Sequence, residues 1–62
     1  DFAEVLLQYI KNQGGHTPLN DKSAAEEIYE TFGVSKKTFK KAVGDLYKKR
    51  LVVLVPEGIN LA

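Results

Sequence analysis

The sequence predicts a mainly α domain of the α+β class, with three helices followed by a C-terminal β-hairpin. Three observations carry this. Apolar residues recur at three-and-four spacing in three separate segments. Glycine and turn residues punctuate those segments. A β-branched run, Leu51-Val52-Val53-Leu54-Val55, closes the chain with a turn and a short return.

In the first segment, Phe2, Val5, Leu6, Tyr9 and Ile10 share one helical face and Leu7 widens it, which predicts a helix over residues 2–12. Gly14-Gly15 stops it, since a helix C-terminus often needs a positive φ. Thr17-Pro18-Leu19 can form at most an edge strand of two or three residues, because proline has no N–H for a ladder. Asn20-Asp21-Lys22 reads as a turn. Ser23 with Glu26 three positions on then reads as a capping box for a second helix, which would bury Ala25, Ile28, Tyr29 and Phe32 and end at Gly33.

The third helix follows almost at once, from Ser35 to Arg50, with Ser35 as its N-cap. Its apolar stripe is Phe39, Ala42, Val43, Leu46 and Tyr47. At about 100° per residue, Lys37, Lys41 and Lys48 lie opposite that stripe, and Lys36, Lys40 and Lys49 flank it. The closely joined second and third helices have the pattern of a helix-turn-helix. Pro56-Glu57-Gly58 turns the final strand back into Ile59-Asn60-Leu61. Helix, short strand, helix, helix and hairpin is the order of a winged helix-turn-helix.

Composition sets the outer bounds. Sixty-two residues make one small domain, spanning 1–62, near the lower limit of what a hydrophobic core supports without staples. Without cysteine there is neither a disulfide nor a thiolate metal site, and a reducing compartment is the natural reading. No apolar run approaches the roughly 20 residues of a membrane span, and no signal peptide is evident. A chain that opens on Asp1 and holds no methionine reads as a domain excised from a longer protein.

The net charge of +1 hides a division. Residues 1–34 hold two lysines (Lys11, Lys22) against six acids (Asp1, Glu4, Asp21, Glu26, Glu27, Glu30). Residues 35–62 hold seven basic residues against Asp45 and Glu57. Such asymmetry predicts a surface that faces a polyanion.

Catalysis is not expected. His16 is the only histidine, and with no cysteine neither a histidine relay nor a cysteine nucleophile can be assembled. His16 reads as a solvated loop residue. Glu26, Glu27 and Glu30 read as a solvated face near a helix N-terminus rather than a cation site. Gly14-Gly15 lacks the spacing and the lysine of a phosphate loop. No cofactor or metal is expected.

The lysine face of the third helix is the sharp signal, weighed against a merely solubilising surface. Binding is favoured because the lysines are concentrated on one element, only Asp45 interrupts them, and that element holds the recognition-helix position. Arg, Asn and Gln supply bidentate base contacts, whereas lysine is a point charge suited to phosphates. The hairpin tip carries Glu57 and no base that could enter a minor groove. Phosphate binding is therefore expected over base reading, through Lys37, Lys41 and Lys48, assisted by Lys36, Lys40 and Arg50. Gly44, beside these lysines, reads equally as a point of close approach or as a tolerated surface glycine.

The strand from Leu51 to Val55 exposes a second possibility. A two-layer domain buries one strand face, so either Val52 and Leu54 or Leu51, Val53 and Val55 are left to dock a neighbour. The alternative to nucleic-acid binding is accordingly an interdomain or protein–protein docking module that uses the hairpin.

On these residues the chain resembles the C-terminal winged-helix domain of the CvfB (YitL) family, bacterial proteins whose preceding region is built from S1-type RNA-binding domains. The likeness rests on PLNDKS (Pro18–Ser23), EEIY (Glu26–Tyr29), FGVSKKTFKKAVGDLYK (Phe32–Lys48) and EGI (Glu57–Ile59), about two-thirds of the chain. Ala25 and Val34 stand where the family pattern has proline and methionine. The resemblance implies an RNA-binding, cytoplasmic regulator of gene expression, linked in some members to virulence. It implies RNA, or DNA, and the upstream S1-type domains of the same chain as partners, and it transfers no catalytic residue.

Overall fold

A computed structural model of the chain describes all 62 residues. The elements are α1 (Phe2–Asn12), β1 (His16–Thr17), α2 (Ala25–Phe32), α3 (Lys36–Lys48), β2 (Val52–Val55) and β3 (Gly58–Leu61). The three strands form one antiparallel sheet in the order β1-β3-β2. Three helices with a C-terminal hairpin make this a winged-helix fold of the α+β class.

Helix α1 has the predicted bounds. The Asp1 carboxylate accepts from the Ala3 N–H at 3.0 Å and caps it. At its end, the Gly14 N–H donates to the Lys11 carbonyl and the Gly15 N–H to the Ile10 carbonyl, the paired bonds of a Schellman motif, with Gly14 at φ 82°. The chain then enters β1, which stops before Pro18, as a residue without an N–H requires.

The capping box at Ser23 does not form. The Ser23 hydroxyl accepts instead from the Asn20 N–H at 3.0 Å, and the Ser23 N–H donates to the Asn20 carbonyl. A turn thus consumes the hydroxyl, and α2 begins two residues later, with Ala24 at its N-cap and no side-chain bond there. Ser35 does cap α3, accepting from the Thr38 N–H at 3.2 Å.

The core is made by Leu6 and Ile10 of α1, Ile28 of α2, Phe39, Ala42, Val43 and Leu46 of α3, and Val52 and Ile59 of the hairpin, with Ala3 and Leu19. Phe32 closes it, its ring meeting Phe2 and Tyr9 edge-on at 5.3 and 4.9 Å and stacking on Phe39 at 5.7 Å. Four residues expected in the core lie outside it: Val5, Ala25, Tyr29 and Tyr47 are exposed. Val5, Tyr29 and Tyr47 sit at the margin of their helical stripes, and Ala25 is the first residue of α2.

The sheet buries one face. Val52 and Ile59 are covered, while Val53 and Leu54 are 43% and 54% exposed. Val53 points to the opposite side of the pleat from Val52, and Leu54, paired with the buried Ile59, is left exposed. His16 is not a free loop residue: it pairs with Asn60 in the β1–β3 register, is half-buried, and its Nδ1–H donates to Asn60 Oδ1.

Candidate nucleic-acid interface

The six cations singled out above do not form one patch. Lys37 and Lys40 are exposed on α3 and line no groove. Lys36 is half-buried in a groove between α2 and α3 that also holds Ala25, Glu26, Tyr29, Glu30 and Ser35. Lys41 shares a second groove with Asp1, Phe2, Ala3, Thr38, Ala42 and Asp45. Lys48 and Arg50 line a third, of about 450 Å³, with Tyr47, Val52, Val53 and Ala62.

The electrostatic consequence differs from groove to groove. Two carboxylates share the groove of Lys36 and two share that of Lys41, so part of each cation's field is cancelled locally. No acid lines the groove of Lys48 and Arg50. The outermost arc of α3 carries Lys37, Lys41, Gly44 and Lys48, and from Lys37 to Lys48 it runs about 16 Å at 1.5 Å per residue. Gly44 leaves a gap in this arc: a Cβ there would meet no atom within 4 Å, so nothing inside the domain requires a glycine.

Arg50 reaches its place by an uncommon route. Beyond α3, the Arg50 N–H donates to the Tyr47 carbonyl and the Leu51 N–H to the Leu46 carbonyl, a second Schellman motif. Its left-handed position, glycine in α1, is here Arg50 at φ 60°, the one non-glycine residue with positive φ. Tyr47, read from periodicity as a core residue, is 54% exposed beside these two cations. Its place at the edge of the stripe, about 80° from Phe39 by helical spacing, was the available signal.

Elsewhere, Glu26, Glu27 and Glu30 are exposed, and no three His, Asp or Glu side chains come together as a metal site would require. No helix is long and apolar enough to cross a membrane.

Comparison with known proteins places this geometry. The CvfB-like winged helix domain model matches residues 4–61. The chain belongs to that family. Conserved virulence factor B of Staphylococcus epidermidis and of Staphylococcus aureus are each 38% identical to it over 61 residues, and that of Staphylococcus haemolyticus is 36% identical. These matches cover 98% of this chain and 20% of each relative, so the chain spans about one fifth of their length. A crystal structure from Streptococcus pneumoniae, described as a multidomain protein with nucleic acid binding domains, superposes with a TM-score of 0.93 at 42% identity, over 97% of this chain and 21% of that one. The CvfB-like fold is therefore found within multidomain proteins.

Proposed function

We propose that this CvfB-like winged-helix domain binds RNA by its phosphates, through α3, as one part of a bacterial regulator of gene expression. The observation that carries the reading is the outer arc of α3, where Lys37, Lys41 and Lys48 are exposed and Asp45, at its side, is the one acid on the helix. Lys40 and Arg50 extend it, and Lys36, beside Glu26 and Glu30, contributes least. The description of the pneumococcal protein, with its nucleic acid binding domains, supports the class of ligand. The name shared by the staphylococcal relatives, Conserved virulence factor B, supports a link to virulence. RNA is favoured over duplex DNA because the wing tip, Pro56-Glu57, offers no base for a minor groove, and lysine reads charge better than sequence. S1-type domains elsewhere in the protein would supply further RNA contacts.

Titration of labelled RNA and duplex DNA at two salt concentrations tests this. Binding should be present at low salt, and it should be lost when Lys37, Lys41 and Lys48 are replaced by alanine. No binding at low salt, or unchanged binding by the triple variant, contradicts the proposal.

A second reading is favoured by one observation, the exposure of Leu51, Val53 and Leu54 on the hairpin. In it the wing docks another domain of the same protein, or a protein partner, with no nucleic-acid contact. NMR titration with the flanking domains separates the two: shifts at the hairpin support docking, and shifts confined to the α3 face count against it.

A further inference from the structure

We propose that the groove at the C-terminal end of α3 is a single-nucleotide subsite for unpaired RNA, with a base stacked on Tyr47 and its flanking phosphates on Lys48 and Arg50. The inference rests on the RNA-binding reading of α3 and deepens it, since phosphate contacts alone do not distinguish a single strand from a duplex.

Three features of the groove fit this occupant. The first is the combination of its walls. A base presents a flat π-face and an anionic backbone, and proteins that bind single strands meet it with an aromatic platform inside a cationic groove. Here Tyr47 supplies the platform, Lys48 and Arg50 the cations, and Val53 and Ala62 an apolar margin, with no carboxylate among the lining residues.

The second feature is a contrast within the molecule. The chain has two tyrosines more than half exposed, Tyr29 at 63% and Tyr47 at 54%. Tyr29 shares its groove with Glu26 and Glu30 against the single cation Lys36, a net negative lining, whereas Tyr47 shares its groove with Lys48 and Arg50 and no acid. Exposure of an aromatic ring is common to both, and charge complementarity selects Tyr47.

The third is the backbone. Arg50 occupies the left-handed position of a Schellman motif at φ 60°, where a Cβ is unfavourable and glycine is the usual solution. The fold accepts a strained residue and thereby sets a guanidinium beside the Tyr47–Lys48 pair. Strained backbone of this kind persists where the surroundings hold it, and it clusters at ligand sites.

The test compares a single-stranded oligo(A) RNA with an RNA duplex of the same length, using the chain, four single variants and the Lys37, Lys41 and Lys48 triple variant. Tyr47→Ala should weaken single-strand binding about tenfold, within the range for loss of one base–aromatic stack. It should leave the slope of log K against log salt unchanged, because that slope counts phosphates. Tyr47→Phe should bind as the parent does, and Tyr29→Ala should change nothing. Arg50→Gly, which relieves the backbone and so preserves folding, should lower the slope by about 0.7, one single-strand phosphate. In NMR, the Tyr47 ring protons should shift upfield on adding the single strand.

If Tyr47→Ala binds the single strand as tightly as the parent while the Lys37, Lys41 and Lys48 variant loses it, the stacking subsite is wrong and the phosphate reading stands. If the parent binds no RNA at low salt, both fall. If the Tyr47 ring shifts on adding the flanking domains but not on adding RNA, the groove is a protein interface and the subsite is refuted.

Discussion

A Cβ at position 58 would stand 1.9 Å from the Thr17 carbonyl oxygen and 2.8 Å from Pro18 Cα. Gly58 also has a φ of 148°, which L-residues rarely adopt. It pairs with Val55 to close the hairpin and at the same place presses β3 against the end of β1. Gly58→Ala should therefore destabilise the domain by at least about 2 kcal/mol, from forced overpacking and unfavourable φ together. Thermal denaturation measures this, and an unchanged midpoint would show that the wing is not held against β1 as described. Phe39, fully buried and stacked on Phe32, makes the corresponding test of the core. Phe39→Ala should cost about 3 to 5 kcal/mol, enough to unfold much of a domain this small, as circular dichroism would report. Position 39 was legible from the sequence, since it sits at the centre of a periodic stripe. Position 58 was legible only as a turn glycine, because its close approach is to Thr17, more than forty residues earlier. Tyr29 and Tyr47 were misread for a related reason. Periodicity fixes the direction a side chain takes around its helix, but the width of the covered face depends on which neighbour packs there.

Helix boundaries follow from local hydrogen bonding, and the two serines that precede helices show how far that logic reaches. Ser35 and Ser23 each stand before an amphipathic segment, and both looked like N-caps. The Ser35 hydroxyl accepts from the Thr38 N–H, while the Ser23 hydroxyl accepts from the Asn20 N–H. The turn at Asn20-Asp21-Lys22 was legible in the sequence, but not that it would close on Ser23 and take the hydroxyl that the helix needed. Ser35→Ala should cost about 1 kcal/mol, or about 4 to 8 °C in melting temperature for a domain of this size. The same loss should appear as fraying of the first turn of α3 in amide exchange; protection equal to the parent's would count against the cap. Gly44 offers the opposite experiment on the same helix. Its added Cβ meets nothing, so Gly44→Ala should stabilise α3 by about 0.5 to 1 kcal/mol. The two roles that the sequence left open for Gly44 then separate. A melting point raised with RNA affinity unchanged makes it a tolerated surface glycine, and a raised melting point with weakened binding marks a close approach of the RNA backbone.

At the scale of the whole molecule, charge is distributed by element: α2 carries Glu26, Glu27 and Glu30, and α3 with the residues after it carries seven cations. The domain measures 26 × 23 × 19 Å. The Debye length is about 30 Å at 0.01 M salt and about 8 Å at 0.15 M. At the lower concentration an RNA strand lying on α3 feels the carboxylates of α2 across the domain, and at the higher one it feels only the cations it touches. Attraction by α3 is thus partly offset by α2 when salt is low. Replacing Glu26, Glu27 and Glu30 by glutamine removes that repulsion while altering only exposed groups. This variant should bind RNA more tightly than the parent at 0.01 M salt, and the two should converge near 0.15 M. The parent's own slope of log K against log salt should be about −2.8 if Lys37, Lys41, Lys48 and Arg50 each neutralise one single-strand phosphate, at about 0.7 per phosphate. A difference that persists undiminished at 0.15 M would mean that RNA lies within a few ångströms of α2. The interface would then be the groove around Lys36 and Tyr29, and the outer face of α3 would be a solubilising surface.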